Sequence, residues 1–398
     1  MEQRLPFITL ILMISFASVN AVLFTPGLPN IAQFFVIDTL TAQNTITVYM
    51  LGYALGQLIY GPLANCWGRK AALYIGILIQ ILSSIVCIST GYWHYYALFP
   101  WARFTTALGA AVGLKMTYTL VNEVYAPKKA SQVISYLMLA FAITPGLGIA
   151  IGGYLNAHWG WVSCFYATAL YGVILLVLVT RLPETKKQVD SDSLHISNLL
   201  TKYMQQLKNR TLMLSSIIMG LATTYVYLFA AVAPFIAIEL LDMGSQSYGI
   251  ANCIPAMGLM CGSLVNARLI QRNSLLKSII IGLLITALGS LSLYFGLFFS
   301  DNPAIYLFVS MAIVYFGLSL ILPNVSVIAV QSAEDKSYGA GVMSFLNMGL
   351  ATLLVATFSK MTLSLSLLPL CYIALTVGIL TVLSGLLKNT LILRVINN

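Results

Sequence analysis

The sequence predicts an all-α membrane protein of 12 transmembrane helices in two pseudo-symmetric six-helix bundles, with both termini cytoplasmic. Three observations predict it: an apolar composition, apolar runs of spanning length, and a one-sided distribution of Lys and Arg. Of the 398 residues 59% are hydrophobic and 8% charged, and the mean hydropathy is +0.91. A water-soluble domain carries about 25% charged residues, so this chain cannot dress a surface in water. That excludes a soluble enzyme, a nucleic-acid-binding module, a disordered chain and a secreted disulfide scaffold. A spanning helix takes about 20 apolar residues, and twelve fit this length with room for short loops.

The apolar runs fall at 7–34, 41–62, 72–90, 96–122, 131–155 and 160–180, then at 211–236, 246–267, 277–299, 304–330, 339–362 and 366–387. Backbone left unpaired is not tolerated in hydrocarbon, and no strand alternation is present, so the runs read as helices. The first begins at Phe7 with no small-residue cleavage site behind it, and reads as a span rather than a removed signal peptide. The one long polar stretch divides the chain into an N-terminal bundle (1–182), a cytoplasmic linker (183–209) and a C-terminal bundle (210–398).

A cytoplasmic N-terminus places seventeen of the twenty Lys and Arg inside, among them Arg4, Arg69, Lys70, Lys128, Lys129, Lys186, Lys187, Arg268, Arg272, Lys336 and Arg394. Lys360 lies near an outer end, and Arg103 and Lys115 fall within the fourth span. This topology implies a multi-pass protein of the inner membrane. The six cysteines form no CxxC and read as packing residues. Gly61-Pro62-Leu63-Ala64-Asn65 and Gly262-Ser263-Leu264-Val265-Asn266 share Gly-x-Leu-x-Asn, 201 residues apart. The match suggests a parallel repeat, with a solute site between the halves.

The first of these segments continues Cys66-Trp67-Gly68-Arg69-Lys70. It resembles the loop signature of the major facilitator superfamily, Gly-x-Leu-x-Asp-x-x-Gly-Arg-Lys. Glycines let helices approach closely, and a tight charged loop can latch helix ends in one conformation and free them in another. Gly61, Asn65, Gly68 and Arg69, with Glu123 at the end of the fourth span, are the latch residues expected. Pro26-Gly27-Leu28-Pro29, Arg103-Phe104 with Gly109-Ala110-Ala111, and Ala233-Pro234-Phe235 with Ile238-Glu239 are similar to motifs of one branch, the bicyclomycin/chloramphenicol-resistance drug:proton antiporters. So are Pro323-Asn324 and, in the fifth helix, Pro145 with Gly148, Gly152 and Gly153, which the resemblance assigns to packing and gating. It implies the major facilitator fold and proton-coupled drug export.

Departures from the branch pattern qualify that expectation. The acid of the first helix is Val22 here, the loop Asp is Asn65, and the antiporter-signature Pro is Ile149. None of the eleven Asp and Glu lies mid-span, whereas a buried carboxylate is what lets a pump bind and release protons near neutral pH. The embedded charges are the cations Arg103 and Lys115, which suit a carboxylate-bearing solute better than a lipophilic cation. Asn20, Thr106, Tyr118, Tyr225 and Asn324 are the polar span residues expected to line the solute pathway with them.

The function expected is secondary active transport of a small organic solute by alternating access: drug or metabolite efflux, with an anionic or siderophore-like solute admitted. Uptake of an anionic solute such as a polycarboxylate siderophore is one alternative, and a transport-dead receptor or scaffold another. No catalytic set, metal site or cofactor is expected, and no phosphate-binding loop is present. The partners expected are the lipid bilayer, the solute and protons as a candidate coupling ion, with no nucleic acid, for a chain acting as a monomer.

Overall fold

The computed structural model describes residues 5–125, 127–185, 196–270, 274–334, 336–361 and 367–388. Arg4, Lys186, Lys187, Arg272 and Arg394 lie outside them, as does the linker from 186 to 195. The described residues fold as helices throughout, in two compact units, 1–201 and 202–398.

In the first unit, α1 (Phe7–Val22), a turn of 3-10 helix (Thr25–Gly27) and α2 (Leu28–Phe35) make the first span. The next are α3 (Thr39–Trp67) and α4 (Arg69–Trp93). The fourth span is α5 (Leu98–Ala110) and α6 (Val112–Val124), interrupted at Ala111. Then come α7 (Pro127–Trp159) and α8 (Val162–Thr180). The linker contributes a helix the apolar runs do not announce, α9 (Ile196–Leu207). The second unit holds α10 (Arg210–Pro234) with a π-turn (Phe235–Leu240), then α11 (Ser245–Ala251) and α12 (Cys253–Leu269) as one span. It ends with α13 (Leu275–Phe299), α14 (Pro303–Ser332), α15 (Lys336–Met361) and α16 (Leu367–Leu387). Among the described residues, nine of the twelve spans are long and apolar enough by themselves to cross a membrane. The second, fourth and fifth are not among the nine, and the fourth is the one that carries Arg103 and Lys115.

Glycines set the helix crossings, because hydrocarbon gives no hydrophobic drive and close backbone contact has to supply the packing. A Cβ on Gly52 or Gly56 of α3 would strike the carbonyl of Phe104 or the methyl of Ala111 on the fourth span. In the second unit Gly258 and Gly262 of α12 meet the carbonyls of Ala312 and Phe316 on α14 in the same way. Gly76 and Gly109 face each other's backbone, as do Gly282 and Gly317. The repeat is thus built into the packing, but its register differs from the sequence match. Gly56, not Gly61, corresponds to Gly262, an offset of 206 residues rather than 201. Both asparagines lie in the last turn of their helices, but Asn65 Oδ1 accepts from Arg69 at 2.9 Å, whereas Asn266 Oδ1 accepts from Asn324 on α14 at 2.9 Å. A five-residue match was not enough to fix the register of the two helices.

The tightest crossing joins α7 to the break after α1. Gly148 abuts Val22, and a Cβ on Gly152 would sit inside the Leu23 carbonyl. Ser15 and Thr144 share a hydrogen bond of 2.9 Å across the same pair. Gly152→Ala is therefore expected to destabilise the first unit by at least about 3 kcal/mol, since the obstacle is backbone and cannot rotate away. The check is the melting temperature and monodisperse yield in detergent, with Gly349→Ala, where a Cβ meets nothing within 4 Å, as the neutral control.

Candidate functional site

Two constellations carry charge. The first surrounds the loop between α3 and α4. Gly68 sits there at φ +95°, a conformation that favours glycine, and its absent Cβ leaves room for the Glu184 carboxylate. The turn aims Arg69 back across the helix ends. Its Nη1 donates to the Ala64 carbonyl at 2.7 Å and to Asn65 Oδ1 at 2.9 Å. Its Nη2 and Nε donate to the Glu123 carboxylate at 2.6 and 3.2 Å, a side-on fork. Thr185 donates to the other Glu123 oxygen.

Glu184 accepts from the backbone N–H of Arg69 and of Lys70, both at 3.0 Å, and so caps the positive end of α4. Lys70 Nζ reaches the Thr180 carbonyl at 2.9 Å. One turn thereby ties the ends of α3, α4, α6 and α8. Burial raises the pKa of the Glu123 carboxyl. The hydrogen bonds from Arg69 and Thr185 and the guanidinium charge outweigh that and hold it below the ordinary value.

The second constellation is Arg103, 1% exposed. α1 ends at Val22, and Arg103 Nη1 donates at 3.0 Å to the Asn20 carbonyl in its last turn, a cation at the negative end of a helix. The guanidinium carbon lies 4.0 Å from the Phe24 ring centroid, 4.5 Å from Tyr49 and 5.8 Å from Phe165. The Tyr49 hydroxyl is held on the Ala17 carbonyl at 2.7 Å. Nε and Nη2 of Arg103 have no hydrogen-bond partner among the described residues. Asn20 Oδ1 accepts from Gln80 Nε2 at 2.7 Å, which also reaches Ser84 at 2.9 Å and the Thr168 carbonyl at 3.1 Å.

The remaining predicted residues separate from this centre. Lys115 lies across α3, its stem against Gly61, which therefore serves Lys115 rather than the Arg69 cluster. Thr106 is buried with its hydroxyl on its own helix at Ala102, and Tyr118 is half-buried on α6. In the second unit Tyr225 donates to the Tyr372 carbonyl at 2.7 Å and Tyr372 donates to Tyr225 in return, a reciprocal clasp of α10 and α16. Asn324 Nδ2 donates to Asn266 and to the Leu320 carbonyl, while its Oδ1 is buried without a partner among the described residues. Pro145 is half-buried and Gly153 buried within α7. Sequence reasoning missed Glu184, Gln80 and the three rings. Gln80 had a signal, the one amide side chain in the third span; the rings, scattered over three spans, had none.

Comparison with known proteins places these features in context. The sequence model of the Major Facilitator Superfamily matches residues 8–356. A Rickettsia bellii protein described as an uncharacterized transporter is 28% identical over 80% of each chain. Chloramphenicol resistance protein CraA of Acinetobacter baumannii is 26% identical over 82% of this chain and 78% of its own. Proteins named for bicyclomycin and multidrug resistance are also among the matches. Among solved structures, a D-xylose-proton symporter superposes with a TM-score of 0.76 at 13% identity, over 94% of this chain and 96% of its own, which speaks to the fold.

Proposed function

Because the chain belongs to the major facilitator superfamily, in the branch of the bicyclomycin and chloramphenicol resistance proteins, we propose that it exports a small organic solute across the bacterial inner membrane by alternating access. Residues 1–182 and 210–398 are the moving bundles, and the Arg69 turn is the latch on the cytoplasmic side. The observation that carries this reading is the Arg69–Glu123 fork with Asn65 and Glu184 around it. One small turn gathers four helix ends through charges that a change of tilt would part. Relatives named for drug resistance support export, and a neutral drug such as chloramphenicol is the first probe. Everted vesicles containing the protein are expected to accumulate labelled chloramphenicol above vesicles carrying an empty vector. Binding without accumulation or exchange would instead mark a receptor.

A second reading, movement of an anionic solute, is favoured by a specific observation: Val22 faces Gly148 where the branch carries an acid, and the embedded charges are cationic.

The topology follows from the positive-inside distribution. A single cysteine at Thr201 or Gln205, both exposed on α9, is expected to label only from the cytoplasmic side on a cysteine-free background. Labelling from outside would overturn the orientation and the placement of the latch.

A further inference from the structure

We propose that the free edge of Arg103 is a carboxylate site, and that the transported solute supplies the carboxylate the first helix lacks; this rests on the reading of the chain as a solute transporter. Nε–H and Nη2–H share one edge of the guanidinium, the edge that takes a carboxylate side-on. Arg69 of the same chain shows that edge filled: Nε and Nη2 hold Glu123 in a fork. In Arg103 the same two groups are buried and without a partner among the described residues. Only Nη1 is used, on the Asn20 carbonyl. A buried charge with two unmade hydrogen bonds is costly, and it persists where something other than folding requires it.

The fold supplies its own control. Gly52 packs on the Phe104 carbonyl and Gly258 on the Ala312 carbonyl, so the residue before each occupies an equivalent place in the two units. Those residues are Arg103 and Met311, and Met311 is fully buried. The second unit builds the same crossing, with the same glycine contacts, from an uncharged side chain. The crossing itself therefore does not call for a guanidinium.

The surroundings narrow the ligand. Phe24 and Tyr49 cover the guanidinium within 4.5 Å and give the site apolar, aromatic walls. Asn20, Gln80, Ser84 and Thr168 form a neutral hydrogen-bonded group on one side, with Gln80 Oε1 unpartnered among the described residues. Positive charge on a planar fork, with aromatic walls and no acid in the middle of any span, selects a carboxylate carried on an apolar or aromatic body.

The test is binding, so that it stands apart from transport. Purified full-length protein in detergent is titrated with labelled benzoate and, separately, with benzamide, its neutral isostere. Wild type is expected to bind benzoate at least about tenfold more tightly than benzamide, the loss of a charge-assisted pair. Arg103→Met, which copies the second unit, is expected to lose that preference while keeping a monodisperse elution profile, and Arg103→Lys to keep part of it. Equal binding of the two probes to wild type overturns the proposal without recourse to any variant. So does full displacement of benzoate by chloride at equal concentration, which would make this a halide site. A preference that survives in Arg103→Met also overturns it. Chloramphenicol accumulation alongside any of these negative results leaves the transporter reading standing and removes only the carboxylate site.

Discussion

Arg103→Ala is expected to lower the rate of phthalate movement in vesicles by at least about a hundredfold, from the loss of two charge-assisted hydrogen bonds at about 1.5 kcal/mol or more each. Arg103→Lys is expected to keep roughly a tenth of the wild-type rate, because charge survives while the planar fork is lost. Two contributions are removed together in the alanine variant: the group that holds the solute, and the cap on the Asn20 carbonyl at the end of α1. They are separated by the second readout, thermal stability. The cap is one hydrogen bond, and its loss is expected to cost about 1–3 kcal/mol, a shift that leaves a folded protein to assay. A rate unchanged in Arg103→Ala would assign the residue to packing alone.

The second large effect is expected at the latch. Arg69→Glu places a carboxylate against Glu123 and near Glu184, and Glu123→Arg faces Arg69, so each single reversal is expected to slow transport at least about tenfold through like-charge repulsion. The double reversal restores an attractive pair and is expected to recover most of that loss, a coupling of about 1–3 kcal/mol in the cycle. Recovery is incomplete, because a glutamate at 69 cannot donate to Ala64 and Asn65. With the Glu123 carboxyl held below its ordinary value, the pair is complete above the ordinary carboxylate range and is lost only as pH falls through the lowered one. Transport between pH 6 and 8.5 is therefore expected to carry no inflection from the latch. Initial rates of the wild type and the three variants over that range check both statements; additivity of the two reversals would dissolve the latch.

The spans were legible because crossing a bilayer demands an unbroken apolar run, and hydropathy reads that directly. The helix ends at Trp67, Trp93 and Thr180 lie within about five residues of the runs that announced them. Arg69 and Glu123 were legible for a related reason: charges at helix ends have few places to go, and a glycine between two spans marks the turn. The cage was not. Phe24, Tyr49 and Phe165 look like any other apolar side chain until the helices that bring them together are known. Glu184 sits in a polar stretch where the sequence gives no reason to prefer one acid over another, and its role follows only from the fold of Pro183–Thr185 over the start of α4. Tyr225 and Asn324 looked like pathway residues because they are polar in apolar spans. The Tyr225 hydroxyl and the Asn324 amide nitrogen clasp neighbouring helices, as polar groups in hydrocarbon must unless water or solute reaches them, while Asn324 Oδ1 is left without a partner among the described residues.

The proposed transporter carries its embedded charge on cations, and no carboxylate lies in the middle of a span for a proton to ride on. The most direct measurement is exchange of labelled phthalate, an impermeant aromatic dicarboxylate, across sealed proteoliposomes, with and without an imposed pH gradient. Label is expected to enter several-fold faster when unlabelled phthalate is preloaded inside, and the acceleration is expected to be the same when nigericin collapses the gradient. Movement that is absent without the gradient, or label that binds and never exchanges, would contradict that proposal.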